Sequence, residues 1–150
     1  LDRSSAASDV YKRQTVSRLG KRSPELYGLT TAAELDELIR QYADRIGYGV
    51  DIFYTHIEGE AIERIYEAVD AGYDGLIMNP AGFVYSGFAL RDCIRDTQLP
   101  YIEVHLRNSA GRGTKSATAE VSRAYVAGFG PHSYLLALEG IRRLLDEPLP

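Results

Sequence analysis

Short apolar runs alternate with amphipathic helical stripes from residue 30 onward, and this alternation most constrains what the chain can fold into. Thr31 and Glu34 have capping-box spacing, and Leu35, Leu38, Ile39, Tyr42 and Ile46 then recur at helical intervals. Residues 50–55 are rich in β-branched and aromatic side chains and predict a strand. A second helical stripe follows at Ile62, Ile65, Tyr66 and Val69, closed by Gly72. Leu76-Ile77-Met78 is too short for a helix and suits a central parallel strand. A third helix is expected over 86–97, with Ala89, Leu90, Cys93 and Ile94 inward. Strands at 101–105 and near 122–127 come next, separated by a Gly/Ser/Thr-rich loop. Gly128-Phe129-Gly130-Pro131 is a turn with proline at a helix start, and the last helix buries Tyr134, Leu135, Leu138, Ile141 and Leu145. Strands and helices in this order imply βαβ units: an α/β, flavodoxin-like three-layer sandwich with a parallel sheet. Ligands in such sheets bind beyond the carboxyl ends of the strands. That places Asn79-Pro80-Ala81-Gly82, the end of the 101–105 strand and the loop after it at the expected site.

A flavodoxin-like sheet also needs a strand before residue 20. Residues 1–15, LDRSSAASDVYKRQT, are polar without sustained alternation and would make a poor central strand. They are expected to be a non-native or disordered segment resembling translated adaptor read-through. The first strand is then missing or replaced, and residues 16–150 form a single domain.

The chain has 150 residues, enough for one domain with a substantial core. Its net charge of -4 offers no basic excess for phosphate backbones, so nucleic acid is not an expected partner. No apolar run approaches a membrane span. A single cysteine, Cys93, precludes an intrachain disulfide and fits a reducing, cytoplasmic location. It falls in an apolar helical stripe, so its expected role is packing.

Residues 101–108, Tyr-Ile-Glu-Val-His-Leu-Arg-Asn, carry the chemistry. Side chains alternate along a strand, so Glu103 and His105 share a face. A carboxylate beside an imidazole fixes the ring's tautomer and supports its cationic form, which is how a proton donor near neutral pH is built. A surface ion pair is the bland alternative. His56 and His132 fit no such arrangement and read as structural or exposed.

Several segments together resemble the type II 3-dehydroquinate dehydratase family: SRLGKRSPELYG (17–28), EGEAI (58–62), LIMNPAG (76–82), ALRDC (89–93), IEVHLRN (102–108) and VAGFGPHSYLLAL (126–138). The resemblance spans about residues 17–147. It implies dehydration of 3-dehydroquinate to 3-dehydroshikimate in the shikimate pathway, by anti elimination through an enolate and without cofactor or metal. Tyr27 matches the family's base and Arg22 its lid arginine; Arg112 is the other candidate for a cation that would favour the phenolate, and it fills one of two family arginine positions at the substrate, which of the two being open. His105 matches the general acid and Glu103 its orienting partner. Asn79 and the backbone N–H groups of Leu106 and Arg107 match donors to the substrate carboxylate. Asp92 matches a residue that reaches a neighbouring subunit's site in a homo-oligomer, commonly a trimer-based dodecamer.

Four departures from the family pattern stand out. Gln14-Thr15-Val16-Ser17 occupy the final positions of the family's GPNLN motif. Tyr85 replaces a substrate-binding histidine and is larger and far less basic. The loop after Asn108 is about three residues short, with Arg112 and Lys115 as its cations. Ala124 and Tyr125 replace a usual Gly-Val, which is expected to be a tolerable packing change. The second and third departures define the competing reading, a divergent non-catalytic or repurposed member that binds a small cyclic carboxylate. A phospho-receiver domain would need an aspartate where Asn79 stands, and a flavodoxin would need a phosphate-cradling loop after a first strand.

Overall fold

A computed structural model describes the backbone of residues 7–12, together with residues 31–108, 110–113 and 115–146. Five parallel strands run in the order β2-β1-β3-β4-β5. They are β1 (Ala7–Lys12), β2 (Gly49–Tyr54), β3 (Gly75–Met78), β4 (Tyr101–His105) and β5 (Ala124–Ala127). Among the described residues four α-helices accompany them: α1 (Ala32–Ile46), α2 (Glu58–Asp70), α3 (Phe88–Thr97) and α4 (His132–Asp146). This strand order is the flavodoxin-like one, with its switch point between β1 and β3.

The helix boundaries have local causes. The Thr31 Oγ1 accepts a hydrogen bond from the Glu34 N–H at 3.1 Å, the N-cap half of the expected capping box. Gly47 ends α1 with φ of 78°, a left-handed conformation that glycine adopts without a Cβ penalty. Before α4, the Phe129 N–H donates to the Ser133 Oγ at 3.1 Å, tying the preceding turn to the first helical residues.

Alternation along the strands divides the core in two. Ile77, Ile102 and Val104 face α1 and α4, where they meet Leu35, Ile39, Tyr134, Leu138 and Ile141. Leu76, Met78 and Tyr101 face α2 and α3, where they meet Ala61, Ile65, Leu90, Cys93 and Ile94. On α2 the buried stripe is Ala61, Ile65 and Ala68, whereas Tyr66 lies on the exposed side. On α3, Leu90, Cys93 and Ile94 are inward, but Ala89 faces out. On α2 the small Ala61 and Ala68 face the sheet, and the larger Tyr66 on the flank of the stripe is displaced outward. Burial pushes the Cys93 thiol up to about 11, as a packing role implies.

The first-strand position is filled by Ala7–Lys12, within the stretch whose composition suggested a poor central strand. It pairs with β2 from Ala7↔Gly49 to Lys12↔Tyr54, and with β3 from Ser8↔Gly75 to Tyr11↔Met78. Ladder bonds are made by backbone groups, so two flanking strands hold a segment that side-chain alternation does not mark. Residues 1–6 and 13–30, including Gln14 to Ser17, Arg22 and Tyr27, lie outside the described residues. Among the described residues no helix is long and apolar enough to cross a membrane.

Ile102 has no exposed surface and lies under α4, where a Cβ built on Gly140 would come within 3.3 Å of its Cδ1. Ile102→Ala is expected to cost about 2–5 kcal/mol in urea denaturation, because the rigid sheet cannot collapse into the vacated volume. An unchanged denaturation midpoint would place Ile102 outside the core.

Candidate active site

β4 delivers two kinds of residue to its two faces. Ile102 and Val104 enter the α1/α4 core, while Tyr101, Glu103 and His105 leave on the opposite side. Glu103 has no exposed surface. Its Oε2 lies 2.9 Å from the His105 Nε2. Its Oε1 accepts hydrogen bonds from the Tyr101 hydroxyl at 2.8 Å, the Ser116 hydroxyl at 3.1 Å and the Thr118 hydroxyl at 2.5 Å. Burial alone would raise the Glu103 carboxyl, but hydrogen bonds from His105, Thr118, Tyr101 and Ser116 outweigh it and hold the group below the usual glutamate range. Burial, followed by the neighbouring Glu103 charge, pushes the Tyr101 phenol well up, so it remains a neutral donor.

An ionised carboxylate can only accept. The His105 Nε2 therefore carries a hydrogen, and Nδ1 is the ring atom left for chemistry. The His105 side chain is 13% exposed. It stands at the carboxyl end of β4, next to the carboxyl end of β3. The expected pairing of Glu103 with His105 is present, with the carboxylate fully buried and the imidazole partly so, and it is not a surface pair.

The remaining sequence-derived positions are more dispersed. Asn79 follows β3 and is buried; its Oδ1 accepts the Ala81 N–H at 3.1 Å, so part of its role is forming the turn. Leu106 and Arg107 continue directly from β4, the first with a buried side chain and the second exposed. Tyr85 is 69% exposed, in the segment after β3. That segment meets the loop after β4 through the Ala117 N–H, which donates to the Val84 carbonyl at 2.9 Å. Arg112 lies in a one-turn 3-10 segment, Ala110–Arg112, and Lys115 is exposed. Asp92 stands apart on the outer face of α3, exposed and 3.5 Å from Arg95. His56 and His132 are exposed, as expected.

Sequence reasoning missed the hydroxyl cluster. Tyr101 shares the parity of Glu103 and was legible from alternation alone. Ser116 and Thr118 sit in a segment that read only as a Gly/Ser/Thr-rich loop, although Thr118 has no exposed surface. Among the described residues no group of three or more His, Cys, Asp or Glu side chains could hold a metal ion.

The sequence model for the family described as dehydroquinase class II matches residues 12–142. A 3-dehydroquinate dehydratase of Thermotoga neapolitana is 37% identical over 141 residues, covering 92% of this chain and 95% of the relative. One from Thermus thermophilus is 40% identical over 131 residues, covering 85% of this chain and 88% of the relative. Among solved structures, a type II dehydroquinase from Butyrivibrio crossotus superposes with a TM-score of 0.88 at 26% identity, covering 93% of this chain and 99% of that one.

The depressed Glu103 carboxyl has a consequence for stability. A lowered folded-state value stabilises in full above the unfolded glutamate value of about 4.3. That contribution is lost as pH falls through the folded value. In urea denaturation between about pH 7 and about pH 3, the native protein should lose more stability than Glu103→Gln, so the gap between them narrows on acidification. A gap constant across this range would mean that Glu103 is not ionised in the fold.

Proposed function

This chain belongs to the class II dehydroquinase family, and from that premise we propose that it dehydrates 3-dehydroquinate to 3-dehydroshikimate by anti elimination. The observation that carries the reading is the buried Glu103–His105 pair at the carboxyl end of β4. In the proposed sequence, the Tyr27 phenolate, supported by Arg22 and Arg112, removes a proton next to the substrate ketone. The electron pair moves onto the ketone oxygen as an enolate. The protonated His105 ring then gives its Nδ1 hydrogen to the departing hydroxyl. The C–O bond breaks, the enolate collapses to the conjugated enone, and water leaves. Glu103 stays ionised throughout and holds the Nε2 hydrogen, so the ring loses its proton from one atom only.

Asn79 and the N–H groups of Leu106 and Arg107 are assigned to the substrate carboxylate, where charge-assisted bonds are the stronger kind. Tyr85 borders the substrate from the neighbouring loop. Asp92 is assigned to a subunit contact, which its exposed place on α3 permits. The working assembly is a homo-oligomer built on trimers, in the cytoplasm. Its product would serve aromatic amino acid biosynthesis through the shikimate pathway.

Turnover is followed as enone absorbance in the ultraviolet. His105→Ala and Tyr27→Phe are each expected to lower kcat by about 10²–10⁴-fold with the circular dichroism spectrum unchanged, the range for removing a positioned acid or base. A native protein that forms no enone would reject the activity. Native-like kcat in His105→Ala would reject the role assigned to the pair.

A further inference from the structure

The strand beside β4 contributes a ring to the site that the sequence reading treated as packing. Tyr125 and Glu103 are register partners in the β4–β5 ladder, so their side chains leave the sheet on the same side. His105 is two residues beyond Glu103 and shares that side. The His105 and Tyr125 ring centroids are 5.2 Å apart with planes tilted by 34°, within the contact range of aromatic pairs. Tyr125 is 44% exposed and the His105 side chain 13%, so the tyrosine is the outer of the two rings.

We propose that Tyr125 is a positioning residue for His105, its ring limiting the swing of the imidazole about the Glu103 hydrogen bond. The inference rests on the reading of His105 as proton donor. One hydrogen bond fixes one atom of the ring, and the terminal torsion of histidine is broad and roughly two-fold, so no local preference fixes the plane. A second contact away from Nε2 is needed to aim Nδ1. The Tyr125 ring supplies it from a strand whose backbone is held by the β4 ladder from Ile102↔Ala124 to His105↔Ala127. The contact is made by the ring, so the hydroxyl is dispensable for this role. Aim matters because small displacements of a reacting group cost rate without loosening substrate binding.

The test compares native protein, Tyr125→Phe, Tyr125→Val and Tyr125→Ala by steady-state kinetics on 3-dehydroquinate and by proton NMR of the His105 ring. Valine keeps strand propensity and guards against a folding defect in the alanine variant. Val and Ala are expected to lower kcat about fivefold to tenfold, the scale of one aromatic pair, with KM within about twofold of native. Phe should stay within about twofold of native in both constants. The His105 ring-proton resonances should shift on loss of the aromatic ring in the Val variant and remain near native in Phe. The proposal is overturned by native kcat in the Val variant, by a Phe variant as impaired as Val, or by a loss confined to KM. If the native protein forms no enone, the activity reading fails and the resonances alone decide: a shift in Val but not in Phe supports the contact, and no shift in Val overturns it.

Discussion

The Glu103 carboxylate has no exposed surface and is held by four side-chain hydrogen bonds, and much of the site's architecture serves that one charge. Taking an ion out of water costs several kcal/mol unless every lone pair is used. Here Oε1 takes three hydroxyl hydrogens and Oε2 faces the histidine. Each hydroxyl has one hydrogen to give, and the geometry lets all three go to the carboxylate. Their oxygens still approach one another, with Tyr101 and Ser116 at 3.5 and 3.3 Å from Thr118. The donors come from β4 itself and from the loop that follows it. Docking of that loop and ionisation of Glu103 therefore favour each other, since a loop detached from the strand would take away two of the four partners of the charge.

The second constraint is parity. β4 is five residues long with β3 on one side and β5 on the other. Its even positions, Ile102 and Val104, lie in the core beneath α1 and α4, and its odd positions carry the polar row of Tyr101, Glu103 and His105. A one-residue slip against β3 would drive the carboxylate into the apolar core and push isoleucine into the hydroxyl cluster. The apolar face thus enforces the register on which the polar face depends. The same argument explains why Tyr125 meets His105: Glu103↔Tyr125 pairing leaves no other side of the sheet for its ring.

Much of this was legible in the chain. Strand parity placed Glu103 with His105, the Thr31/Glu34 spacing marked the start of α1, and the alternation of runs indicated a parallel sheet. The misreadings have physical reasons. Tyr66 looked inward because hydrophobicity was read without size, whereas α2 approaches the sheet through Ala61 and Ala68; on α3 the inward stripe is Leu90, Cys93 and Ile94, and Ala89 lies one position off it. The strand Ala7–Lys12 was not legible because its place comes from two backbone ladders, not from side-chain alternation. Ser116 and Thr118 were hidden for the opposite reason. Hydroxyl residues near glycine signal a loop, and only the three-dimensional position of Glu103 shows that these two are ligands of a charge.

The arrangement also limits which groups can move a proton. With hydrogen bonds holding the Glu103 carboxyl below its ordinary range, it is a poor acceptor for the Nε2 hydrogen, and transfer along that bond would leave a neutral acid amid hydroxyls aimed at an anion. Tyr101, pushed well up, cannot supply a proton by ionising near neutral pH. What remains exchangeable in this cluster is the other nitrogen of His105. In the proposed mechanism, Glu103 therefore acts by remaining charged, and the imidazole has one atom through which a proton can enter or leave.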